Sequence, residues 1–185
     1  MKPRFFAAAA AALVCAGLAL FTLSAQAILK PGDSAPDFKT QASLGGKTYT
    51  YSLASELKKG PVVLYFYPAA FTKGCTIEAH EFADAMDKYQ ALGATVIGVS
   101  HDKIEKLDQF SVSECRSKFP VAADPDEVVI KQYDAVLGAH PEYANRTSYV
   151  IAPDGKILMS YTDLNPDKHV EMTMAAVQKW HDEHK

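Results

Sequence analysis

A single cysteine, Cys75, stands in the stretch YPAAFTKGCTIEAHEF (Tyr67 to Phe82), where a strand-like run stops and a helix-like pattern begins. The thiolate, not the thiol, is the nucleophile, and an ordinary cysteine with a pKa of about 8.5 is mostly protonated at neutral pH. A helix N-terminus offers unpaired backbone N–H groups and the positive end of the helix dipole, and both favour an anion. Cys75 in a first helical turn is therefore placed to react. It also continues the apolar face of Ala79 and Phe82, so spacing alone leaves a packed side chain as an equal alternative. The loop PAAFTKG tips the balance toward reactivity. Pro68 ends the strand, Thr72 sets a hydroxyl three residues before the sulfur, and Gly74 lets backbone approach. Activating a thiol also calls for a fixed cation. Arg146, opening the strand-like TSYVIA, is the best candidate; its alternative role is an ordinary surface ion pair, which contributes little.

The elements that must position these residues are legible as periodicities. VVLYFY (Val62 to Tyr67) is a continuous apolar run bounded by Gly60-Pro61 and Pro68, which predicts a central strand covered on both faces. Before it, KTYTYSL after Gly45-Gly46 predicts a short hairpin closing into a helical turn near LASEL. Cys75, Ala79, Phe82 and Met86 fall at helical spacing until Gly93. ATVIGVS predicts a second buried strand, and Asp102 with Glu105 resembles a capping box opening a helix through about Lys118. PVAAD predicts a short strand, DEVVIKQYDA a short helix, and TSYVIAPDGKILMSY two strands around a Pro-Asp-Gly turn. A terminal helix follows, with Asn165 as its cap and Pro166 at its first position. The alternation predicts an α/β fold: a mixed sheet flanked by helices, its first strands parallel, its closing hairpin antiparallel, with an N-terminal hairpin extension.

Residues 1 to 27 differ in kind. Lys2 and Arg4 precede an uncharged Ala/Leu/Phe stretch from Phe5 to about Leu23, followed by Ala25-Gln26-Ala27. This reads as a secretory signal cleaved after Ala27, leaving one domain over 28–185 in the periplasm or outside the cell. The stretch is also long enough for an uncleaved membrane anchor, and that alternative stays open. Cys15 does not suit a lipid-attachment site, because Val14 is bulky, and it leaves with the signal. The remaining chain carries 17 basic and 22 acidic residues, a net charge of −5, which disfavours a nucleic-acid partner. Its two cysteines, Cys75 and Cys115, would sit in an oxidising compartment, where a simple structural disulfide is also possible.

Pro68, Thr72 and Cys75 form Pro-x-x-x-Thr-x-x-Cys, and with Arg146 ahead of a strand ending in Pro-Asp-Gly the set resembles the peroxiredoxins. Glu78 and the flanking YFYP and CTIEAHEF look most like the Q subfamily, the bacterioferritin comigratory protein group. The likeness runs from Ile28 to about Trp180. It implies a thioredoxin-like fold and a thiol peroxidase that reduces hydrogen peroxide or organic hydroperoxides without metal or organic cofactor. It further implies Cys75 as peroxidatic nucleophile and Thr72 bonded to the thiolate and the peroxide. Arg146 would stabilise the thiolate and polarise the peroxide, Pro68 would shield the site, and a thioredoxin-like or other dithiol protein would be the reductant. Many members of the subfamily carry a resolving cysteine five residues after the first; here that residue is His80. Cys115 then becomes the candidate resolving thiol, or a buried structural residue in a one-cysteine enzyme.

Other thiol chemistries fail on single residues. A disulfide oxidoreductase would need a cysteine at Glu78, and a copper-delivery protein one at Ala79. A non-catalytic chaperone or interaction module on the same fold remains, with Cys75 and Cys115 joined in a stable disulfide. His181 and His184 read as a solvated tail rather than a metal pair, and His101 as a loop residue. The signal reading predicts that protein exported by its own host begins at Ile28 by intact mass; a mass retaining the apolar stretch would make it an anchored protein.

Overall fold

The computed structural model describes residues 28–185; the signal segment expected over 1–27, Cys15 included, lies outside the described residues. Gly45 and Gly46 take positive φ values of 56° and 74°, the backbone of a tight two-residue hairpin turn, and reverse the chain between β1 (Lys39–Leu44) and β2 (Lys47–Ser52). α1 (Leu53–Leu57) follows directly. β3 (Val62–Phe66) is buried along its whole length, with Val63 and Tyr65 in one core layer and Val62, Leu64 and Phe66 in the other. That division is the two-residue strand period, and it explains why the run lacks polar alternation.

Around β3 the sheet has seven strands in the order β2-β1-β5-β4-β3-β6-β7, where β4 is Thr95–Ser100, β5 Val121–Ala123, β6 Thr147–Ile151 and β7 Ile157–Thr162. β3, β4 and β5 are parallel; β6 and β7 run antiparallel, as does β1 against β5. α2 (Lys73–Ala91), α3 (Ile104–Ser113) and α5 (His169–Glu183) pack on one face, and α1 with α4 (Val128–Gln132) on the other. A short 3-10 turn, Pro166–Lys168, precedes α5, and the Asn165 side chain caps it by accepting from Asp167 N–H at 3.3 Å. The hairpin extension and the parallel and antiparallel assignments follow the sequence expectations; Asn165 caps the 3-10 turn rather than the terminal helix itself, which starts at His169 without a side-chain cap.

Two local expectations are corrected. Asp102 does not cap α3. Its buried carboxylate turns inward, accepting from Ala70 N–H (2.7 Å) and Ser100 Oγ (2.9 Å), with Lys106 Nζ at 2.7 Å as counter-ion. α3 also stops at Ser113 rather than near Lys118, because Arg116 and Ser117 adopt left-handed φ values of 51° and 55°, which a right-handed helix cannot absorb. Cys115 therefore sits in a turn just past α3, its N–H bonded to Phe110 O at 3.0 Å.

Gly98 in β4 lies opposite Tyr65 in β3, and a Cβ built on it would come within 2.6 Å of the Tyr65 ring. Tyr65 in turn stacks on Phe82 of α2 at 4.4 Å, so the ring has little room to withdraw. Gly98→Ala is expected to destabilise the fold by about 1–3 kcal/mol through overpacking, read as a lower urea midpoint with unchanged slope.

Candidate active site

The carboxyl ends of the parallel strands β3 and β4 open at one edge of the sheet, and the loop 68–72 crosses it. Two tethers from the end of β4 hold that loop: His101 Nδ1 lies 3.0 Å from Pro68 O, and Asp102 takes the Ala70 N–H. Phe71 is forced to φ 68°, a strained conformation for an aromatic residue, and packs edge-on against Phe110. Thr72 then takes an extended conformation as the residue ahead of α2, without capping it through its side chain. The first N–H groups of α2 thus lack side-chain caps among the described residues, and Cys75, 1% exposed, lies within this first turn.

The β3–β6 register pairs Phe66 with Thr147, and so sets Arg146 beside the end of β3 and against α2. Arg146 is 4% exposed, and each of its three guanidinium nitrogens has a partner: Nη2 donates to Cys75 Sγ at 3.5 Å, Nη1 to Glu78 Oε2, and Nε to Leu164 O at 2.9 Å. Burial alone would lower the arginine pKa; the Glu78 and Cys75 charges outweigh it and raise it. Glu78 is entirely buried, and its pKa is pushed up to about 8, chiefly by burial, against the pull of Arg146. Gly74 makes the approach possible, since a Cβ there would stand 3.0 Å from Arg146 Nη2.

The expected residues are only partly brought together. Cys75 and Arg146 meet directly. Pro68 sits half-buried in the tethered loop beside them. Thr72 stands at the mouth, but its hydroxyl donates to Ala69 O at 3.0 Å rather than to the sulfur. Cys115 shares the core layer of Cys75 with the Tyr65 and Tyr67 rings between the helices and the sheet; both cysteines are free thiols. Burial, then the Glu114 charge, pushes the Cys115 thiol far up. Its turn is fastened to α2 by a ladder of side chains: His80 Nε2 to Glu114 Oε2 at 2.9 Å, Asp84 to Arg116, and Asp87 to Lys118 Nζ at 3.4 Å. His80, where a resolving cysteine was absent, is thus a rung of that ladder. Two members of the site were not singled out for it by the sequence reading: Glu78 as a ligand of Arg146, and His169, buried 3.7 Å from Glu78 Oε1. The spacing Cys75–Glu78, one helical turn, was the available signal for the first.

The AhpC/TSA family profile matches residues 31–160. The chain belongs to the AhpC/TSA family. Peroxiredoxin Bcp of Escherichia coli is 32% identical over 161 residues, which cover 84% of this chain and 97% of that protein. The crystal structure of peroxidoxin BcpB from Mycobacterium tuberculosis aligns with a TM-score of 0.74 at 30% identity, over 82% of this chain and 97% of that one. Xanthomonas campestris peroxiredoxin Q shares the fold, with a TM-score of 0.67 at 24% identity over 76% of this chain and 90% of that one. The fold is the thioredoxin-like peroxiredoxin fold, and the protein is a peroxiredoxin-type thiol peroxidase.

Among the described residues of this peroxiredoxin no helix is long and apolar enough to cross a membrane, and no three His, Cys, Asp or Glu side chains are grouped to hold a metal. Gly74→Ala tests the contact, because the added methyl would crowd Arg146 Nη2, whose guanidinium is held by three partners and has little room to withdraw. The expected result is a lower melting temperature together with slower alkylation of Cys75 at neutral pH; unchanged alkylation would mean the guanidinium contact does not govern the sulfur.

Proposed function

We propose that this protein is a peroxiredoxin of the Q type, reducing hydrogen peroxide and organic hydroperoxides through Cys75. The observation that carries the reading is the Cys75 sulfur at the uncapped start of α2 with Arg146 Nη2 at 3.5 Å. A cation and a helix N-terminus both favour the thiolate. The thiolate attacks the terminal hydroxyl oxygen of the peroxide. An S–O bond forms, the O–O bond breaks, and the alkoxide or hydroxide leaves and takes up a proton. Sulfur is oxidised to the sulfenic acid and the peroxide is reduced to alcohol or water. Arg146 holds charge on the departing oxygen, as donors in an oxyanion site do. Thr72, its proton committed to Ala69 O, offers a lone pair to the peroxide O–H. Pro68, with its carbonyl tethered by His101, limits water at the sulfur.

Cys115 resolves the sulfenic acid in this reading. Its thiol condenses with Cys75–SOH to a disulfide and water, and a thioredoxin-like dithiol protein then reduces the bridge in exchange for its own disulfide. In this reading the two free thiols are joined through local opening of the first turn of α2 and of the turn after Ser113. The left-handed Arg116 and Ser117 make that turn a weak point. A one-cysteine mechanism is the second reading, favoured by the complete burial of Cys115 and its raised thiol pKa. Export with cleavage after Ala27 would put the cycle outside the cytoplasm, with a reductant of that compartment.

Peroxide consumption by the protein lacking residues 1–27 tests the reading. Cys75→Ser is expected to abolish it with the fold intact, and Arg146→Ala to slow it by about 10²–10³, the loss typical of one transition-state donor. Peptide mapping after one equivalent of peroxide should find the Cys75–Cys115 bridge. Cys115→Ser should accumulate sulfenic acid and lose turnover with the dithiol protein; normal turnover would leave Cys115 structural. A wild-type protein inert to peroxide would make the fold a non-catalytic module.

A further inference from the structure

The Pro68 carbonyl and the Ala70 N–H belong to consecutive peptide planes, one on each side of Ala69, and each plane is held by a residue just past β4. His101 Nδ1 lies 3.0 Å from Pro68 O; a carbonyl can only accept, so Nδ1 carries a hydrogen whether the ring is neutral or charged. Asp102 Oδ2 accepts from Ala70 N–H at 2.7 Å. Because peptide units are planar, the only freedom between the two planes is the φ and ψ of Ala69. Pinning both planes fixes that residue.

The plane that carries the Ala70 N–H also carries the Ala69 carbonyl. Thr72 donates its hydroxyl proton to that oxygen at 3.0 Å, and its N–H points there at 3.4 Å. The direction of the Thr72 lone pairs is therefore set by Ala69 O, and Ala69 O by the two residues that follow β4. We propose that His101 is a positioning residue of the peroxidase site: by holding Pro68 O it locks the backbone of Ala69, and so keeps the Thr72 hydroxyl turned with its lone pairs toward the peroxide. This rests on the peroxidase reading, in which Thr72 accepts from the peroxide O–H.

Asp102 alone would hold one plane and leave the other free to swing about Ala69; His101 removes that freedom. The need for it lies one residue before the threonine, where Phe71 at φ 68° keeps a conformation that relaxes unless its surroundings over-determine it. His101 is itself held in place. Tyr143, in the segment between α4 and β6, packs edge-on against the imidazole with ring centroids 4.7 Å apart and planes at 88°. The backbone of that tyrosine is tied in turn by the Val136–Ala144 bridge and by Leu137 N–H to Tyr143 O at 3.0 Å. Asp102 is anchored by Ser100 Oγ and Lys106 Nζ.

His101→Phe keeps a ring against Tyr143 and deletes the donor, whereas His101→Asn keeps a donor, because the amide nitrogen can stand where Nδ1 stands. The second-order rate with hydrogen peroxide is expected to fall by about 10–100-fold in His101→Phe, the scale of a misplacement of about 1 Å, and to recover largely in His101→Asn. Iodoacetamide alkylation of Cys75 makes no use of the Thr72 hydroxyl and is expected to keep the wild-type rate at neutral pH in both. In a Thr72→Val background no hydroxyl is left to orient, so His101→Phe is expected to slow peroxide reduction no further. An unchanged peroxide rate in His101→Phe, an equal loss in the Thr72→Val background, equal losses in the Phe and Asn variants, or alkylation slowed in step with peroxide reduction each overturns the proposal. Hydrogen exchange at the amides of residues 70 and 72 needs no peroxide: it should quicken in His101→Phe and return toward wild type in His101→Asn, and exchange unaltered by His101→Phe also overturns it. A wild-type protein inert to peroxide would register against the peroxidase reading, while the exchange result still reports the hold on the loop.

Discussion

The structure turns on a buried guanidinium. A cation removed from water is tolerated only when it is paired and hydrogen-bonded, and stripping one partner from such a group typically costs about 3–5 kcal/mol. Arg146 meets the requirement with three partners from two parts of the chain: Glu78 and Cys75 on α2, and the Leu164 carbonyl in the turn after β7. Each partner constrains an element. The antiparallel register of β6 on β3 brings the arginine to the sheet edge, α2 must lie close enough for a glycine at 74, and the turn must present its carbonyl inward. The arrangement that neutralises the arginine is the same one that sets its guanidinium beside the Cys75 sulfur.

The mouth of the site is the converse, a place where local stability is given up. Phe71 in a left-handed conformation and a helix start without a side-chain cap both run against the preferences of the chain. His101 and Asp102 hold the loop against that strain from the next strand along. Had Thr72 or Asp102 been spent as helix caps, the N–H groups near Cys75 would be quenched or the loop would lose a tether.

Sequence reasoning reached the parts of this design that are written locally. The doubly buried β3 shows in an unbroken apolar run, the β1–β2 reversal in Gly45-Gly46, and the start of the last helical segment in Asn165-Pro166. Cys75 and Arg146 could be paired because one begins a helical pattern and the other a strand. What escaped was tertiary. Asp102 carries a capping pattern, but a buried N–H from Ala70, 32 residues earlier, competes for its carboxylate and wins. The end of α3 has no glycine or proline to announce it; Arg116 and Ser117 turn left-handed while the side chains of Arg116 and Lys118 reach for Asp84 and Asp87. His169 carries no local signal, and its partners, Ser148 in β6 and the Asp163 carbonyl after β7, are set by the packing of α5 on the sheet.

The ladder joining α2 to the Cys115 turn has its own consequence. His80, Asp84 and Asp87 recur along one face of a helix, while Glu114, Arg116 and Lys118 alternate along a turn, and most of these side chains reach solvent. Pairs of this kind weaken as ions accumulate around them, while the buried Arg146–Glu78 pair is screened much less. In the proposed cycle the two halves would therefore answer differently to the medium. Dissolved salt would leave the chemistry at Cys75 nearly alone but loosen the hold on Cys115, so that, with Cys115 as the resolving thiol, the lifetime of the oxidised sulfur, and with it the chance of irreversible damage by a second peroxide, would be a property of the surroundings as much as of the protein.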